Sequence, residues 1–352
     1  MKTTLCTLFN FYYLDKGLAL YESLDRVAGD FVLYVLAMDD DCYAYLKDCG
    51  HSRLVPVRLS DFEDEALLEA KKNRSFGEYC WTCSASLIRY VLTHYGEESC
   101  AYIDADMLFY ADPAILFAEM EERGATVLLT GHRFNRHERY REEIEGRFCV
   151  EFNLFRNETK ALALLDSWIG QCLAGCSSDK DSGSFGDQKY LNRWVEENDC
   201  VVETRHLGAG VAPWNIAQYK LVAHDAGKGT WRLSVRGRET DLLFFHFASL
   251  KHISRQVADI DLYRYWGIDD RFVVPLYTEY LQLLEKYKQQ VLEKTGREIL
   301  LKSHPAFETG ERSRSERMKA LARRLAAPHG LSHFFRVELP QKLLRKKNYI
   351  AL

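Results

Sequence analysis

Two aspartates, Asp104 and Asp106, stand two residues apart at the end of an apolar stretch that predicts a buried strand. In an extended segment the side chains at i and i+2 point the same way, so we expect both carboxylates to face one small volume. Like charges this close need a positive partner, and a divalent cation with oxygen ligands is a common one. Such a cation can bridge a diphosphate and stabilise it as a leaving group. The alternative is a helix cap, but Asp112, before Pro113, already offers one.

The elements that must position these aspartates alternate between strand and helix patterns along the first half of the chain. The near-continuous apolar run 30–38 is typical of a buried parallel strand. Such alternation predicts an α/β protein with a mostly parallel central sheet flanked by helices. Ligands of such sheets bind at the carboxyl ends of the strands. The strand patterns are at 5–9, 30–38, 54–59, 101–109, 126–130, 148–155 and 241–247, and the helix patterns are at 16–24, 41–48, 80–94, 114–123, 158–175, 189–197 and 276–294.

Polar residues at the ends of the first two predicted strands are candidates for contacts with a nucleoside. Thr7, Asn10 and Tyr12 lie at or just after the end of the first strand. Asp39 ends the second strand and can accept hydrogen bonds from a base or a ribose. Turn and cap roles explain these four residues equally well.

Five segments in order resemble nucleotide-sugar glycosyltransferases of the GT-A fold, most closely glycosyltransferase family 8, the glycogenin and lipopolysaccharide galactosyltransferase type. The Asp-x-Asp strand of that family matches Asp104 and Asp106, and Asp112-Pro113 follows at the family's distance. Ser249 stands where the family has glycine, and Lys251 comes one residue early. The matching segments are 102–107, 152–157, 185–192, 211–215 and 246–251.

The resemblance implies a metal centre and a donor site. Asp104 and Asp106 would hold Mn²⁺ or Mg²⁺ with His246 as a third ligand, and an imidazole favours manganese. The alternative for His246 is a hydrogen-bonded core histidine. Lys251 would neutralise the leaving diphosphate, unless it is a solvated surface lysine. The region that touches the donor in the family contains Arg74, Trp81, Ser84 and Arg89, although a surface salt bridge explains Arg89 as well.

The resemblance also implies residues for the two sugars. Asp187 and Gln188 would contact the hydroxyls of the donor sugar or its anomeric carbon, and their alternative is an N-terminal cap for the next helix. Asn153 would face the acceptor. Trp214 and Asn215 would border the acceptor, with the indole as an apolar platform, unless Trp214 is a core residue.

The reaction implied is transfer of a hexose-type residue from a nucleoside-diphosphate sugar to an acceptor hydroxyl, with retention at the anomeric centre. The pathway implied is synthesis of a bacterial surface glycan or glycolipid. The alternatives are an Asp-x-Asp phosphohydrolase and a sugar-nucleotide-binding protein without transferase activity. The phosphohydrolase class carries its aspartates on the first strand, and here the pair stands at 104–106. A sugar-phosphate nucleotidyltransferase needs a glycine-rich loop after that strand, which residues 10–14 do not supply.

Composition limits the class and the compartment of this 352-residue chain. Apolar residues make up 47% of it, which excludes a disordered protein, and no run of eighteen apolar residues predicts a membrane span. Ten cysteines, mostly beside apolar residues, and an N-terminus without a signal-peptide pattern predict a cytoplasmic protein. Cys80 and Cys83 form the only CxxC, so a zinc ribbon is not expected.

The charge is distributed unevenly along the chain. The net charge is −4, yet residues 311–352 carry eleven basic and three acidic side chains, so this tail is near +8 and the rest near −12. A helix pattern over 314–326 has apolar residues on one side and arginines on the other, which predicts contact with an anionic membrane surface. A solvated helix packed on the body is the alternative, and nucleic-acid binding is not expected. We predict a GT-A domain over 1–255, a helical extension over 256–310 and a basic amphipathic tail over 311–352.

Overall fold

The computed structural model describes residues 2–136, 138–179, 185–252, 257–262, 267–299 and 349–351. Within them the chain alternates between strands and helices, as predicted. The strands are β1 (Thr3–Phe9), β2 (Phe31–Ala37), β3 (Leu54–Arg58), β4 (Ser99–Ile103), β5 (Met107–Phe109), β6 (Val127–Gly131), β7 (Phe148–Arg156), β8 (Val201–Glu203), β9 (Tyr219–Asp225), β10 (Thr230–Val235), β11 (Arg238–Asp241), β12 (Phe244–His246), β13 (Lys251–His252), β14 (Val257–Asp259) and β15 (Tyr349–Ala351).

Most helices begin and end close to the predicted positions. The largest difference is at the helix Asp270–Thr295, which begins six residues earlier than predicted, and the helix Phe76–His94 begins four residues earlier because Ser75 and Glu78 form a capping box. The single helix predicted over 189–197 is wrong, because a 3₁₀ turn (Gln188–Leu191) and a four-residue helix (Trp194–Glu197) cover that range. The α-helices are α1 (Leu14–Val27), α2 (Asp40–Lys47), α3 (Leu59–Phe62), α4 (Glu65–Lys71), α5 (Phe76–His94), α6 (Ala114–Glu122), α7 (Arg141–Glu145), α8 (Thr159–Ala174), α9 (Trp194–Glu197) and α10 (Asp270–Thr295), and 3₁₀ turns cover Phe11–Tyr13, Gln188–Leu191 and Ile216–Gln218.

A seven-stranded sheet in the order β3-β2-β1-β4-β7-β6-β8 forms the centre of the molecule. Its neighbouring strands run parallel except β7, which is antiparallel to both β4 and β6. Alternate residues of β1 face opposite cores: Leu5 packs with the residues of α1 and α10, and Cys6 packs with those of α5 and α8. The predicted α/β class with a mostly parallel, helix-flanked sheet is confirmed.

The long helix α10 packs into the same core as the sheet. Its residues Phe272, Leu276 and Leu284 are fully buried in the cluster that contains Leu5 of β1. This helix falls in the predicted extension over 256–310, so at least this part of the extension shares a core with the preceding residues. The domain boundary near 255 stays a prediction.

Most of the predicted basic tail lies outside the described residues, including the helix predicted over 314–326. Its last described residues, Tyr349–Ala351, form β15, which pairs antiparallel with β14. The glycine- and serine-rich segment 177–186 is described at 177–179 and 185–186, where Ser177 and Phe185 form a bridge.

Candidate active site

The two aspartates of the Asp-x-Asp motif lie in a turn between β4 and β5, and the expectation that both lie in an extended strand is wrong. Asp104 follows β4, residues 105–106 form a turn, and β5 then leaves the central sheet and pairs with β12. In that pair His246 is opposite Met107, and the N–H of Phe247 donates to the carbonyl of Asp106 at 2.8 Å. The turn and this pairing, rather than strand geometry, bring the carboxylates and the imidazole together.

Asp104, Asp106 and His246 form a set that fits a divalent cation. Nε2 of His246 lies 3.1 Å from Oδ1 of Asp106 and 3.7 Å from Oδ2 of Asp104. One ligand atom from each residue lies within 4.8 Å of the other two. Two hard carboxylate oxygens and one imidazole nitrogen suit Mn²⁺ better than Mg²⁺, which prefers an all-oxygen shell.

The pKa values of these three residues are shifted by burial and by the charges of their neighbours. Burial, together with the charges of Asp106 and Glu151, raises the pKa of Asp104 to about 6 against the opposing charge of His246. Burial favours a higher pKa for Asp106 as well, but the charge and hydrogen bond of His246 outweigh it and lower that pKa. For His246, burial disfavours the charged ring, yet Asp106 and the other partners raise its pKa well above the usual value. A divalent cation bound by this set would offset the charges of its carboxylates.

Glu151, in the middle of β7, is a functional residue that the sequence analysis missed. Its side chain is fully buried, and Oε2 accepts a hydrogen bond of 2.8 Å from Nδ1 of His246. Because this carboxylate holds Nδ1–H, Nε2, which faces the Asp pair, is the nitrogen that would give up its proton to bind a cation. The signal in the sequence is an acidic residue in the apolar half of a strand that begins Phe148-Cys149-Val150.

The site opens into a cleft of about 800 Å³ at the carboxyl ends of β1 and β4. Asp104, Asp106 and His246 lie in its wall, together with five other residues from the sequence predictions. These five predicted residues are Asn10, Trp81, Asp187, Gln188 and Trp214. The wall also contains Arg141 and Glu145, two charged residues from a segment to which the sequence analysis gave no role.

Asp187 is buried at the wall of the cleft and accepts a hydrogen bond of 2.5 Å from the hydroxyl of Ser84 in α5. Gly186 precedes it with a φ of +60°, a left-handed conformation that glycine tolerates. Burial, with a contribution from the charge of Asp104, raises the pKa of Asp187 to about 7. A carboxyl group that titrates near neutrality inside a cleft is typical of a functional site.

Neighbours of Asp187 also face the cleft. The amide of Gln188 donates to the carbonyl of Glu145 at 2.6 Å, which ties the segment 185–188 to α7. Asp187 makes no side-chain cap for the 3₁₀ turn Gln188–Leu191. Asp187 thus occupies the N-cap position without the side-chain hydrogen bond of a cap, and its proposed contact with the donor sugar stays a prediction. Trp81 lines the cleft beside Phe185, with ring centroids 6.1 Å apart.

The predicted nucleoside contacts divide into two groups. Asn10 lines the cleft, and so does Tyr13, which was not predicted. Thr7 is fully buried in β1, away from the cleft wall, and Tyr12 is 40% exposed and also outside the wall. Asp39 caps α2: its carboxylate accepts from the N–H groups of Cys42 and Phe11. The structure therefore gives Asp39 the cap role that was the alternative.

Three predicted donor cations, Arg74, Arg89 and Lys251, lie outside the wall of the cleft. Arg89 pairs with Asp166 at 2.8 Å on the surface, which is the alternative role considered for it. Arg74 donates to the carbonyl of Leu173. Lys251 begins β13 with an exposed side chain.

Of the three predicted acceptor contacts, the structure brings Trp214 alone to the cleft. Its ring packs edge-on against His246, with centroids 5.4 Å apart. Asn215 is fully buried and supports the loop by donating to the carbonyls of His132 and Gly210. Asn153 is fully buried in β7, and from that strand Cys149 and Val150 line the cleft instead.

All ten cysteines lie in the described part of the chain, and none of them forms a disulfide. Eight of the ten have less than a tenth of their surface exposed, and seven of these eight belong to the two apolar cores. Cys176 is buried outside those cores, and Cys49 and Cys80 are partly exposed. Within the described residues, no helix combines the length and the apolar composition needed to cross a bilayer.

Comparison with known proteins gives relatives in sequence and in fold. No protein-family model matches the chain. The uncharacterized protein YfnD of Bacillus subtilis (strain 168) is 30% identical over 283 residues, which cover 79% of this chain and 88% of YfnD. The uncharacterized protein YfnF of the same strain is 29% identical over 297 residues, covering 82% and 95%. Among solved structures, the galactosyltransferase LgtC in complex with donor and acceptor sugar analogues matches 80% of this chain and 95% of its own, with 11% identity and a TM-score of 0.48.

Proposed function

We propose, from the premise that this chain belongs to the same family as the Bacillus subtilis protein YfnD, that it is a metal-dependent glycosyltransferase. The reaction would move a hexose-type residue from a nucleoside-diphosphate sugar to an acceptor hydroxyl. The observation that carries this proposal is the convergence of Asp104, Asp106 and His246 in the wall of a cleft that also contains Asp187. The order of the motifs that resemble glycosyltransferase family 8 supports it.

Each residue of the site has a part in the proposed reaction. A divalent cation held by Asp104, Asp106 and His246 would supply positive charge to the leaving diphosphate. Asp187 would accept hydrogen bonds from hydroxyls of the donor sugar, and Ser84 holds its carboxylate in place. Trp214 would offer its ring as an apolar platform to an acceptor sugar, and the cleft wall would limit the access of water to the donor.

The test is release of nucleoside diphosphate from a panel of nucleotide sugars, with Mn²⁺ or with EDTA. We expect release in Mn²⁺, none in EDTA, and recovery when Mn²⁺ is restored. Asp106→Asn should be inactive, and Asp166→Asn, the same change at a surface ion pair, should retain activity. Release of inorganic phosphate alone would favour the phosphohydrolase alternative. Binding without release of either product would favour a binding protein.

Retention at the anomeric centre follows from the family resemblance and is part of the proposal. A product analysed by NMR reports it directly through the coupling of the anomeric proton. A product with the same anomeric configuration as the donor supports retention, and the opposite configuration overturns it.

From the same resemblance we propose that the reaction belongs to the synthesis of a bacterial surface glycan or glycolipid. We also propose that the basic tail binds an anionic membrane surface. Truncating the tail would remove β15, so neutralising Arg345, Lys346 and Lys347 to glutamine is the better variant. Co-sedimentation with anionic vesicles should fall for this variant. A matched control neutralises three exposed cations elsewhere: Lys72, Lys160 and Arg193. Equal loss in both variants, or in neither, contradicts the membrane role of the tail.

A further inference from the structure

The imidazole of His246 belongs to two groups of metal-ligating side chains. One group contains Asp104 and Asp106. The other consists of Cys149, Glu151 and His246, whose ligand atoms also lie within 4.8 Å of one another. All three residues of the second group are buried, yet Cys149 and His246 reach the wall of the cleft, which gives a route of entry.

The chemistry of the second group differs from that of the first. It offers one thiol sulfur, one carboxylate oxygen and one imidazole nitrogen, and thiolates select borderline or soft cations such as Zn²⁺ and Cd²⁺ over Mn²⁺ and Mg²⁺. Zinc bonds of about 2.0–2.3 Å to nitrogen, oxygen and sulfur require ligand atoms roughly 3–4 Å apart. Nδ1 of His246 and Oε2 of Glu151 are 2.8 Å apart and need to separate by only a small amount.

We propose that Cys149, Glu151 and Nδ1 of His246 form an inhibitory site for a thiophilic divalent cation, with Zn²⁺ as the physiological occupant. The inhibitory part rests on the proposed role of the Asp pair. A neutral imidazole has one nitrogen lone pair for a metal, because the other nitrogen carries the proton. When the proton is on Nδ1 and is donated in a hydrogen bond to Glu151, Nε2 can bind a cation beside Asp106.

Occupation of the second site reverses this arrangement. The thiol of Cys149 releases its proton to solvent when it binds the cation, as metal-bound cysteines do. The proton of His246 leaves Nδ1 and resides on Nε2, where it points at Asp106 and prevents coordination there. The two sites are thus mutually exclusive, and zinc competes with manganese without touching either aspartate.

A cadmium titration of the metal-free protein tests the site without any assay of activity. We expect a thiolate-to-cadmium charge-transfer band whose intensity saturates at one cadmium ion per chain. The band should be lost in Cys149→Ala and kept in Cys80→Ala, which removes another thiol from the wall of the same cleft. It should also persist in Asp106→Asn, so the site is measurable even if the proposed transferase activity fails. Circular dichroism checks the fold, and Cys149→Ser replaces the alanine variant if that one unfolds.

Competition tests the exclusivity. Binding of Mn²⁺ is followed by the paramagnetic resonance signal of the free ion at increasing Zn²⁺. With zinc about 100-fold above its own Kd, the apparent Kd for Mn²⁺ should rise about 100-fold, and Cys149→Ala should lose most of this effect. An unchanged cadmium band in Cys149→Ala overturns the site, and Mn²⁺ binding that is indifferent to zinc at an occupied site overturns the inhibition.

Discussion

Nδ1 of His246 donates to Oε2 of Glu151 over 2.8 Å, and this hydrogen bond sets which nitrogen of the ring faces Asp104 and Asp106. Glu151 lies at the centre of β7, the strand that is antiparallel to both of its neighbours in the sheet. The carboxylate is fully buried and so has no contact with bulk solvent. In the proposed metal centre, the orientation of His246 would therefore depend on Glu151, a side chain outside the Asp-x-Asp set.

Replacing Glu151 should weaken metal binding without removing any ligand of the Asp-x-Asp centre. Loss of an outer carboxylate that orients a histidine costs about 10–100-fold in metal affinity, and we expect that loss in Glu151→Ala. Glu151→Gln retains a carbonyl oxygen that can accept from Nδ1, so its loss should be smaller. Calorimetric titration with Mn²⁺ measures both, with Glu121→Gln, an exposed acid, as the control. Equal affinities in all three variants contradict the orienting role.

Asp187 should make the stability of the protein fall as the pH rises between about 4 and about 7. Its pKa rises from 3.8 in the unfolded chain to about 7 in the folded protein, mainly through burial. In this window the folded protein holds a proton that the unfolded chain has lost, so the free energy of unfolding decreases by up to about 1.4 kcal/mol per pH unit. Above the folded pKa this contribution stays constant.

The check on Asp187 is a comparison of denaturant unfolding across this pH window. Asp187→Asn has no proton to lose, so its free energy of unfolding should rise relative to that of the wild type as the pH increases. Ser84→Ala removes a hydrogen bond that lowers the pKa of Asp187, so its downward slope should extend to higher pH. Parallel curves for wild type and Asp187→Asn would show that this carboxyl does not titrate anomalously.

Trp214 should affect acceptor binding and metal binding separately. An aromatic contact contributes about 0.5–1.5 kcal/mol beyond its buried area, which corresponds to roughly 2- to 12-fold in affinity. We expect Trp214→Ala to raise the acceptor KM by at least that range, and to weaken Mn²⁺ binding modestly because the ring packs on His246. Trp214→Phe keeps an aromatic ring at this position and should recover most of the acceptor binding and of the Mn²⁺ binding. A donor KM that changes more than the acceptor KM contradicts the acceptor role.

The sequence predicted most of the central sheet because strands such as β1, β2, β4 and β6 are buried on both faces. A strand such as β2 is an apolar run whose seven residues are all buried, so the run itself marks the strand. Strands with mixed exposure are different: β9 and β10 carry polar residues on their outer face, and the sequence analysis did not predict them. The start of α5 was missed because its signal is the capping box of Ser75 and Glu78 rather than apolar periodicity.

The site was predictable only where a local pattern carries it. Asp104 and Asp106 were found by their spacing, although a turn rather than a strand brings them together. Glu151 has no local pattern, because its role comes from a hydrogen bond to a residue 95 positions away. A polar residue at a strand end, such as Asp39, can contact a ligand or cap the next helix, and the sequence does not distinguish the two roles. In the structure its carboxylate accepts a hydrogen bond from the N–H of Cys42 in α2, which makes it a cap. Such choices depend on tertiary contacts that spacing does not contain.

Lys251 is the residue for which the role implied by the motif differs most from the position in the structure. The resemblance assigns it to the leaving diphosphate, whereas its exposed side chain lies outside the wall of the cleft. A solvated lysine of this kind contributes under about 1 kcal/mol, which is at most about fivefold in affinity. We therefore expect Lys251→Gln to change the donor KM by less than that, and to the same extent as Lys220→Gln, another change on an exposed strand residue. Steady-state kinetics with the donor varied at saturating Mn²⁺ measure both variants. A rise well beyond fivefold in Lys251→Gln alone would mean that the side chain reaches the donor when it binds, and the motif would then outweigh the geometry.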